Sequence, residues 1–308
     1  MDKISVFAPA TVANLGPGFD IFGLGINGLG DKVIAKKISE PGVFIKKITG
    51  DNGLLPLSSG ENTVSISASS FLRRLAIEDF GIEFELHKGM PINSGMGSSG
   101  ASAVAGAFAA LNLYGNGLGK DSVLVDCVHA EATVAGEHAD NVAASLFGGI
   151  VVIKSYSPLE VVKLPSPKGL IVTVVSPEYE VPTKAARGIL PEGVPLKSMV
   201  RNSGNVASFV SGIFMNDLRL MGRSVDDCII EPIRGKLIPG FDGVKKAAFE
   251  SGALGFSISG SGPSVFAFAD SQESGEAIAK AISEAFSQNG LASKKFVSKI
   301  NNEGAKVI

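Results

Sequence analysis

Pro91-Ile92-Asn93-Ser94-Gly95-Met96-Gly97-Ser98-Ser99-Gly100-Ala101 joins two stretches of different periodicity. Before it, Ile82, Phe84 and Leu86 alternate with Glu83, Glu85 and His87, which predicts a strand with one buried face. After it, Ala101 to Leu113 is small and apolar without proline, which predicts a buried helix. The stretch is therefore a strand-to-helix loop. Its glycines let a ligand approach the backbone free of Cβ atoms, and Ser98 and Ser99 add hydroxyls. Free N–H groups in the first helical turn, with the helix dipole behind them, favour an anion. A phosphate-binding loop is expected.

Two familiar phosphate motifs fit less well. Gly95-x-Gly97-x-x-Gly100 matches the dinucleotide fingerprint. That fold, however, opens with this strand and places an acid about 20 positions later at the end of a second strand. Here the loop lies a third of the way along, and Asp121 to Gly136 reads as helix. A Walker loop needs Gly-Lys-Ser/Thr, and neither Gly119-Lys120-Asp121 nor Gly235-Lys236-Leu237 supplies it.

A chain of 308 residues can bury a large core and divides into two lobes. Thirty acids against 28 bases leave a formal charge of −2, which offers neither nucleic acid nor an anionic membrane a surface. No apolar run is long enough to predict a membrane span. Met1 to Ser5 lacks the pattern of a signal peptide. Cys127 and Cys228 have no metal-type spacing and read as free thiols in a reducing cytoplasm.

Along the chain, Ile4 to Ala8 predicts a strand, and the prolines and glycines of Pro9 to Asp20 predict a rigid loop. Lys32 to Ile38 and Val43 to Ile48 read as an antiparallel pair linked by Glu40-Pro41-Gly42. Asn62 is placed to cap a helix whose buried positions are Val64, Ala68, Phe71, Leu72 and Leu75. A helix from about Asp121 carries Glu131, Ala139 to Phe147 is a short helix, and Gly149 to Lys154 is a strand. Ser155 to Gly169 holds three prolines and marks the lobe boundary, taken at 156/157, with a strand from Glu160 to Leu164 running through it. Beyond it come a strand at Leu170 to Ser176 and one long helix from Lys197 to Met221. A helix over Asp242 to Ser251, a glycine-serine loop and strand within Phe256 to Phe268, and a helix over Glu273 to Gln288 complete the chain. Strands and helices mix without strict alternation, so the fold class is α+β.

Three segments together resemble the small-molecule kinase family named for galactokinase, homoserine kinase, mevalonate kinase and phosphomevalonate kinase. They are the loop at 91–101, Gly255-x-x-x-Ser259-Gly260-Ser261-Gly262-Pro263-Ser264, and Ala8-Pro9-Ala10-Thr11-x-Ala13-Asn14-Leu15-Gly16-Pro17-Gly18-Phe19-Asp20. The last is similar to the branch that acts on homoserine. So are Ala130-Glu131, His138-x-Asp140-Asn141-Val142-Ala143, Ala186-Arg187, Glu231-Pro232-x-Arg234 and Gly304-Ala305-x-Val307. The match runs in order over nearly the whole chain. Val12, Met96 and Gly100 depart from the usual serine, leucine and alanine, and none of these removes a polar group the chemistry depends on.

The resemblance implies two lobes. Residues 1–156 would form an ATP-binding lobe like the second domain of ribosomal small-subunit protein five, and 157–308 a ferredoxin-like lobe. ATP and Mg²⁺ would meet L-homoserine between them, giving O-phospho-L-homoserine for threonine biosynthesis. Pro91, Ser94, Gly95, Met96, Gly97, Ser98, Ser99, Gly100 and Ala101 would hold the phosphates, and Ser98 and Glu131 the metal. Asn62 has two readings, an adenine contact and a helix cap. Arg187 and Arg234 would take the substrate carboxylate, Asp20 its ammonium, and Asn14 and Asn141 the reacting hydroxyl. His138 reads as a structural hydrogen-bond partner. With Asn141 where some relatives carry an aspartate base, and Asp140 about 100° away around the helix, transfer without a carboxylate base is expected. A homodimer is implied by analogy. The alternatives are a kinase for another small alcohol, such as mevalonate or shikimate, and a non-catalytic ATP or amino-acid sensor.

Overall fold

The computed structural model describes residues 2–77, 79–134 and 136–308. Its first strand, β1 (Lys3–Ala13), is longer than the sequence predicts and runs through Pro9 to Ala13. Proline is tolerated there because the register with β2 (Phe22–Lys37) shifts between Pro9 and Thr11, a bulge where a missing N–H does no harm. The rigid loop is thus confined to residues 14–21, where Asn14, Leu15, Gly16 and Asp20 all have positive φ.

The hairpin expected from Glu40-Pro41-Gly42 does not form. Instead, β4 (Gly81–His87) lies between β2 and β3 (Gly42–Thr49), antiparallel to the first and parallel to the second. The helix α1 (Thr63–Arg74) makes this possible by carrying the chain from β3 back to the start of β4. With its apolar alternation, β4 belongs inside the sheet, and a local turn signal could not show that. The phosphate-loop candidate follows β4 and opens α2 (Ser98–Tyr114), whose residues are nearly all buried.

A 3₁₀ turn at 120–123 leads into α3 (Leu124–Val134), then α4 (Asp140–Phe147), β5 (Ile150–Tyr156) and β6 (Leu159–Leu164). Both strands extend the first sheet, β5 on the far end of β2 and β6 on β5. The chain passes to a second sheet between Leu164 and β7 (Ile171–Pro177). There follow α5 (Thr183–Gly188), α6 (Leu196–Met215), α7 (Leu218–Arg223), α8 (Glu231–Arg234), α9 (Phe241–Glu250), β8 (Gly255–Ile258), β9 (Val265–Ala269), α10 (Gln272–Gln288) and β10 (Ser293–Lys299).

The single helix expected over 197–221 is two. Asn216 takes a left-handed conformation that ends α6, and the Asp217 carboxylate accepts from the Arg219 and Leu220 N–H groups to start α7. The second sheet is antiparallel in the order β10-β7-β9-β8, the ferredoxin-like arrangement. A final strand, β11 (Lys306–Val307), returns to the edge of the first sheet beside β1.

The two layers share a core. Phe209 of α6 packs 5.1 Å from the Phe22 ring of β2 and 6.3 Å from Phe268 of β9. The other face of the second sheet buries Ile171, Val175 and Ala267 against α9 and α10. No described helix is long and apolar enough to cross a membrane.

Candidate functional site

A cleft of about 360 Å³ opens between the lobes, within the range of a small-molecule site. The phosphate-loop candidate forms one wall through Ser94, Gly95, Gly97, Ser98 and Ser99. Its path depends on glycine at two points. Gly97 has φ 69°, and a Cβ there would sit 2.1 Å from Thr11 Oγ1. Gly95 has φ 76°, and its Cβ would meet the Ser259 carbonyl at 2.3 Å. That second contact is where the glycine-serine loop after β8 braces the first loop. Ser259 Oγ donates to the Gly95 carbonyl at 2.7 Å, and the Ser264 N–H to that of Ser94 at 3.2 Å. Met96 and Ala101 face the core, so Met96 contributes backbone only, its carbonyl accepting from Thr11 N–H at 3.1 Å. Pro91 accepts a bond from Ser94 Oγ at 2.8 Å within the loop. The first intrahelical bond of α2, Ala101 N–H to Gly97, leaves the N–H groups of Ser98, Ser99 and Gly100 outside the ladder.

Beside that turn lie two buried oxygens with no hydrogen-bond partner among the described residues, Ser98 Oγ and Glu131 Oε2. The other carboxylate oxygen of Glu131 is fixed by Ser99 Oγ at 2.6 Å, and His138 Nε2 lies 3.6 Å from it. Unsatisfied buried oxygens of this kind are costly without a ligand. A hydroxyl with a carboxylate suits a hard cation that keeps several waters, so the donor set fits Mg²⁺. No group of three or more His, Cys, Asp or Glu among the described residues would compete for a softer metal. Asn62 caps α1 by accepting from Val64 N–H at 3.2 Å and donates to the Pro56 carbonyl at 3.0 Å, yet it also lines the cleft.

The opposite wall is charged. Arg187 of α5 forms two 2.9 Å bonds to the Asp20 carboxylate, while its buried Nε has no partner among the described residues. Arg234 of α8 is buried and pairs with no carboxylate among the described residues; it donates to the carbonyls of Ala186 at 3.2 Å and Gly260 at 2.9 Å. Burial, aided by the neighbouring Arg187, pulls its guanidinium down to about 10. Both arginines flank the Phe19 ring, at 5.4 and 5.0 Å. Asn14 holds this wall to the second lobe, donating to the Gly260 carbonyl at 2.9 Å and accepting from Asp20 N–H at 3.1 Å.

Between the walls sits the start of α4. Asn141 Oδ1 accepts from the Thr11 hydroxyl at 2.6 Å, which fixes the amide and leaves its nitrogen to donate elsewhere. The expectation that Asn141 in the cleft turns Asp140 away fails, because both line it. At the first turn of a helix pointing its end at the cleft, side chains 100° apart reach the same space from two sides. Asp140 is 1% exposed, and burial raises its carboxyl to about 6 against the pull of His138.

The structure brings together at the cleft most of the residues expected from the sequence, Asn14, Asp20, Asn62, Ser98, Glu131, Asn141, Arg187 and Arg234 among them, while Pro91, Met96, Gly100 and Ala101 do not line it. It adds Thr11, Asp140 and Lys88. Thr11 lay within a recognised motif, but only the fold shows what its hydroxyl touches. Lys88 gave no signal, since it precedes the loop rather than standing inside it as a Walker lysine would.

Residues 62–149 match the GHMP kinases N terminal domain and residues 201–288 the GHMP kinases C terminal domain. A homoserine kinase of Chlorobium phaeobacteroides is 43% identical over all of both chains. One from Arabidopsis thaliana is 42% identical over 99% of this chain and 85% of its own. The crystal structure of homoserine kinase from Cytophaga hutchinsonii superposes with a TM-score of 0.96 at 50% identity, covering 100% of this chain and 98% of that one.

Proposed function

The chain belongs to the GHMP kinase family, and from that premise we infer that it transfers the γ-phosphoryl group of ATP to the side-chain hydroxyl of L-homoserine, giving ADP and O-phospho-L-homoserine. The observation that carries the substrate is the charge pattern opposite the phosphate loop. Arg234 is a buried cation without a carboxylate, Arg187 has an unsatisfied Nε, and Asp20 lies beside them. A zwitterion complements that set, its carboxylate on the arginines and its ammonium on Asp20. Mevalonate and shikimate carry no ammonium to place on Asp20, whose carboxylate already pairs with Arg187, so their carboxylate alone would meet this wall. The test is coupled ADP release with L-homoserine against a panel of hydroxy acids and alcohols. Clear preference for an acceptor that is not an amino acid would overturn the assignment.

In this reading the triphosphate would take the free N–H groups of Ser98, Ser99 and Gly100, and the adenine would lie beside Asn62, Leu55 and Pro56, which also line the cleft. Ser98 Oγ and Glu131 Oε2 would hold Mg²⁺, with Ser99 Oγ fixing the other oxygen of the carboxylate. A metal ion held there would supply counter-charge to the phosphates, as a loop lysine does elsewhere. Asn141, its orientation set by Thr11, donates to the acceptor hydroxyl and aims it at phosphorus. A loose transition state needs little prior deprotonation, so the proton leaves late, to a phosphate oxygen or water. A second reading has one observation in its favour. Asp140 reaches the cleft with a carboxyl raised to about 6, near the range useful to a general base.

The free Cys127 and Cys228 suit a reducing cytoplasm. A homodimer completes the reading, supported by the exposed Leu196, Val200, Phe214 and Met215 on α6, and sedimentation at two ionic strengths tests it.

A further inference from the structure

Lys88, at the end of β4, has a side chain only 1% exposed, and its ammonium reaches three acceptors: the Asp31 carboxylate, Ser102 Oγ at 2.8 Å and the Ser98 carbonyl at 2.8 Å. Asp31 is itself fully buried and accepts from Ser102 Oγ at 2.8 Å and Gly89 N–H at 3.1 Å. Stability does not explain this arrangement. Replacing a buried ion pair by apolar groups of like size is often neutral or favourable. Moreover, the cation lies against the N-terminal turn of α2, where the helix dipole opposes positive charge. The position makes sense where that turn must receive anions.

We propose that Lys88, charged against Asp31, is a positioning residue for the nucleotide, fixing the first turn of α2 and the two serines on it in the phosphate- and metal-binding geometry. The proposal rests on the reading of that turn as the phosphate site. A lysine ammonium has three protons, and all three are committed, so Lys88 acts without donating to the ligand. The bonds run on from it. Ser98, held by its carbonyl, carries the unpartnered hydroxyl, and Ser99, whose carbonyl accepts from Thr63 Oγ1 at 3.1 Å, holds Glu131. One buried charge thereby sets both the backbone N–H groups and the side-chain oxygens that would face the triphosphate.

The deciding variant is Lys88→Met/Asp31→Asn, which removes both charges and leaves no buried carboxylate unpaired. Its Tm is expected close to that of the wild-type protein. ATP binding without metal, read by calorimetry in EDTA, should weaken on the order of tenfold, about the worth of one hydrogen bond from the misplaced turn to the anionic phosphates. The KM for homoserine should stay within about twofold, since its side of the cleft is untouched. Wild-type ATP affinity at a recovered Tm would make the pair a packing element and overturn the proposal. Should the double variant fail to fold, Lys88→Arg decides. It keeps the charge against Asp31, but its longer, planar fork cannot reproduce the bonds of a compact ammonium to Asp31, Ser102 and the Ser98 carbonyl. Weakened ATP binding supports the positioning role, and wild-type binding rejects it. Because the readout is ATP affinity, absence of homoserine turnover in the wild-type protein counts against the proposed function alone.

Discussion

Arg187 and Arg234 differ in what their loss should reveal. Arg234→Ala removes a buried cation that has only carbonyl partners, whereas Arg187→Ala also leaves Asp20 unpaired. Each should raise the homoserine KM about ten- to a hundredfold, the worth of a charge-assisted bond, with the ATP KM nearly unchanged. An effect on ATP instead would move both arginines to the phosphate site. Glu131→Gln keeps an oxygen for Ser99 but removes the charge at Oε2. The rate should then demand more Mg²⁺ and recover in part when it is in excess, and wild-type behaviour at low Mg²⁺ would remove Glu131 from the metal site. Asp140 carries a carboxyl at about 6 against an ordinary 3.8, which corresponds to roughly 3 kcal/mol. The folded state holds that proton more tightly than the unfolded chain, so the contribution is full below pH 3.8 and is lost as pH rises through about 6. Asp140→Asn should therefore stabilise the protein at pH 8 by up to roughly 3 kcal/mol, with the gain gone by about pH 4. For a residue that only shapes the cleft, kcat falls less than about tenfold; a fall of 10²–10⁴ with substrate binding intact would make Asp140 the base.

The loop and the helix it opens act as one element. A methyl group at Gly97 would collide with Thr11 and Asn141 as well as require an unfavourable φ, whereas at Gly100 the nearest atoms are 3.5 Å away, ordinary contact. Gly97→Ala should thus destabilise by about 1–3 kcal/mol and cut activity sharply, because the clash pushes on the residue that aims the hydroxyl. Gly100→Ala should retain both stability and rate. Denaturation curves and ADP release on the two variants separate these outcomes, and equal tolerance at both positions would mean the loop is not held as described.

At the scale of the molecule, the cleft exists because the lobes are locked through one core. Asn14 and Arg234 meet at the Gly260 carbonyl, and behind them Phe209 joins Phe22 of the first sheet to Phe268 of the second. Phe209→Ala should cost about 3–5 kcal/mol in denaturant unfolding. It should also raise the KM values of both substrates, since each wall of the cleft rests on that contact. A loss of stability with both KM values intact would show that the lobes hold their spacing without it.

Local chemistry was enough to mark the glycine-rich strand-to-helix loop, the cap at Asn62, the buried α2 and the alternation of β4, because each depends on neighbours a few residues apart. The family resemblance supplied Asn14, Asp20, Glu131, Asn141, Arg187 and Arg234 by position in a motif. What the sequence could not fix was anything decided by distant partners. The insertion of β4 between β2 and β3 is a pairing across distant parts of the chain, which the Pro41-Gly42 turn does not encode. The strand through Pro9 depends on a bulge opposite β2, and the break at Asn216 on a capping carboxylate. The same holds within the site. Arg187 against Asp20, Thr11 against Asn141 and Lys88 against Asp31 are separated by 167, 130 and 57 positions in the chain. Such pairs are chosen by burial, which makes an unmatched charge or hydroxyl expensive only once the tertiary structure has excluded water around it.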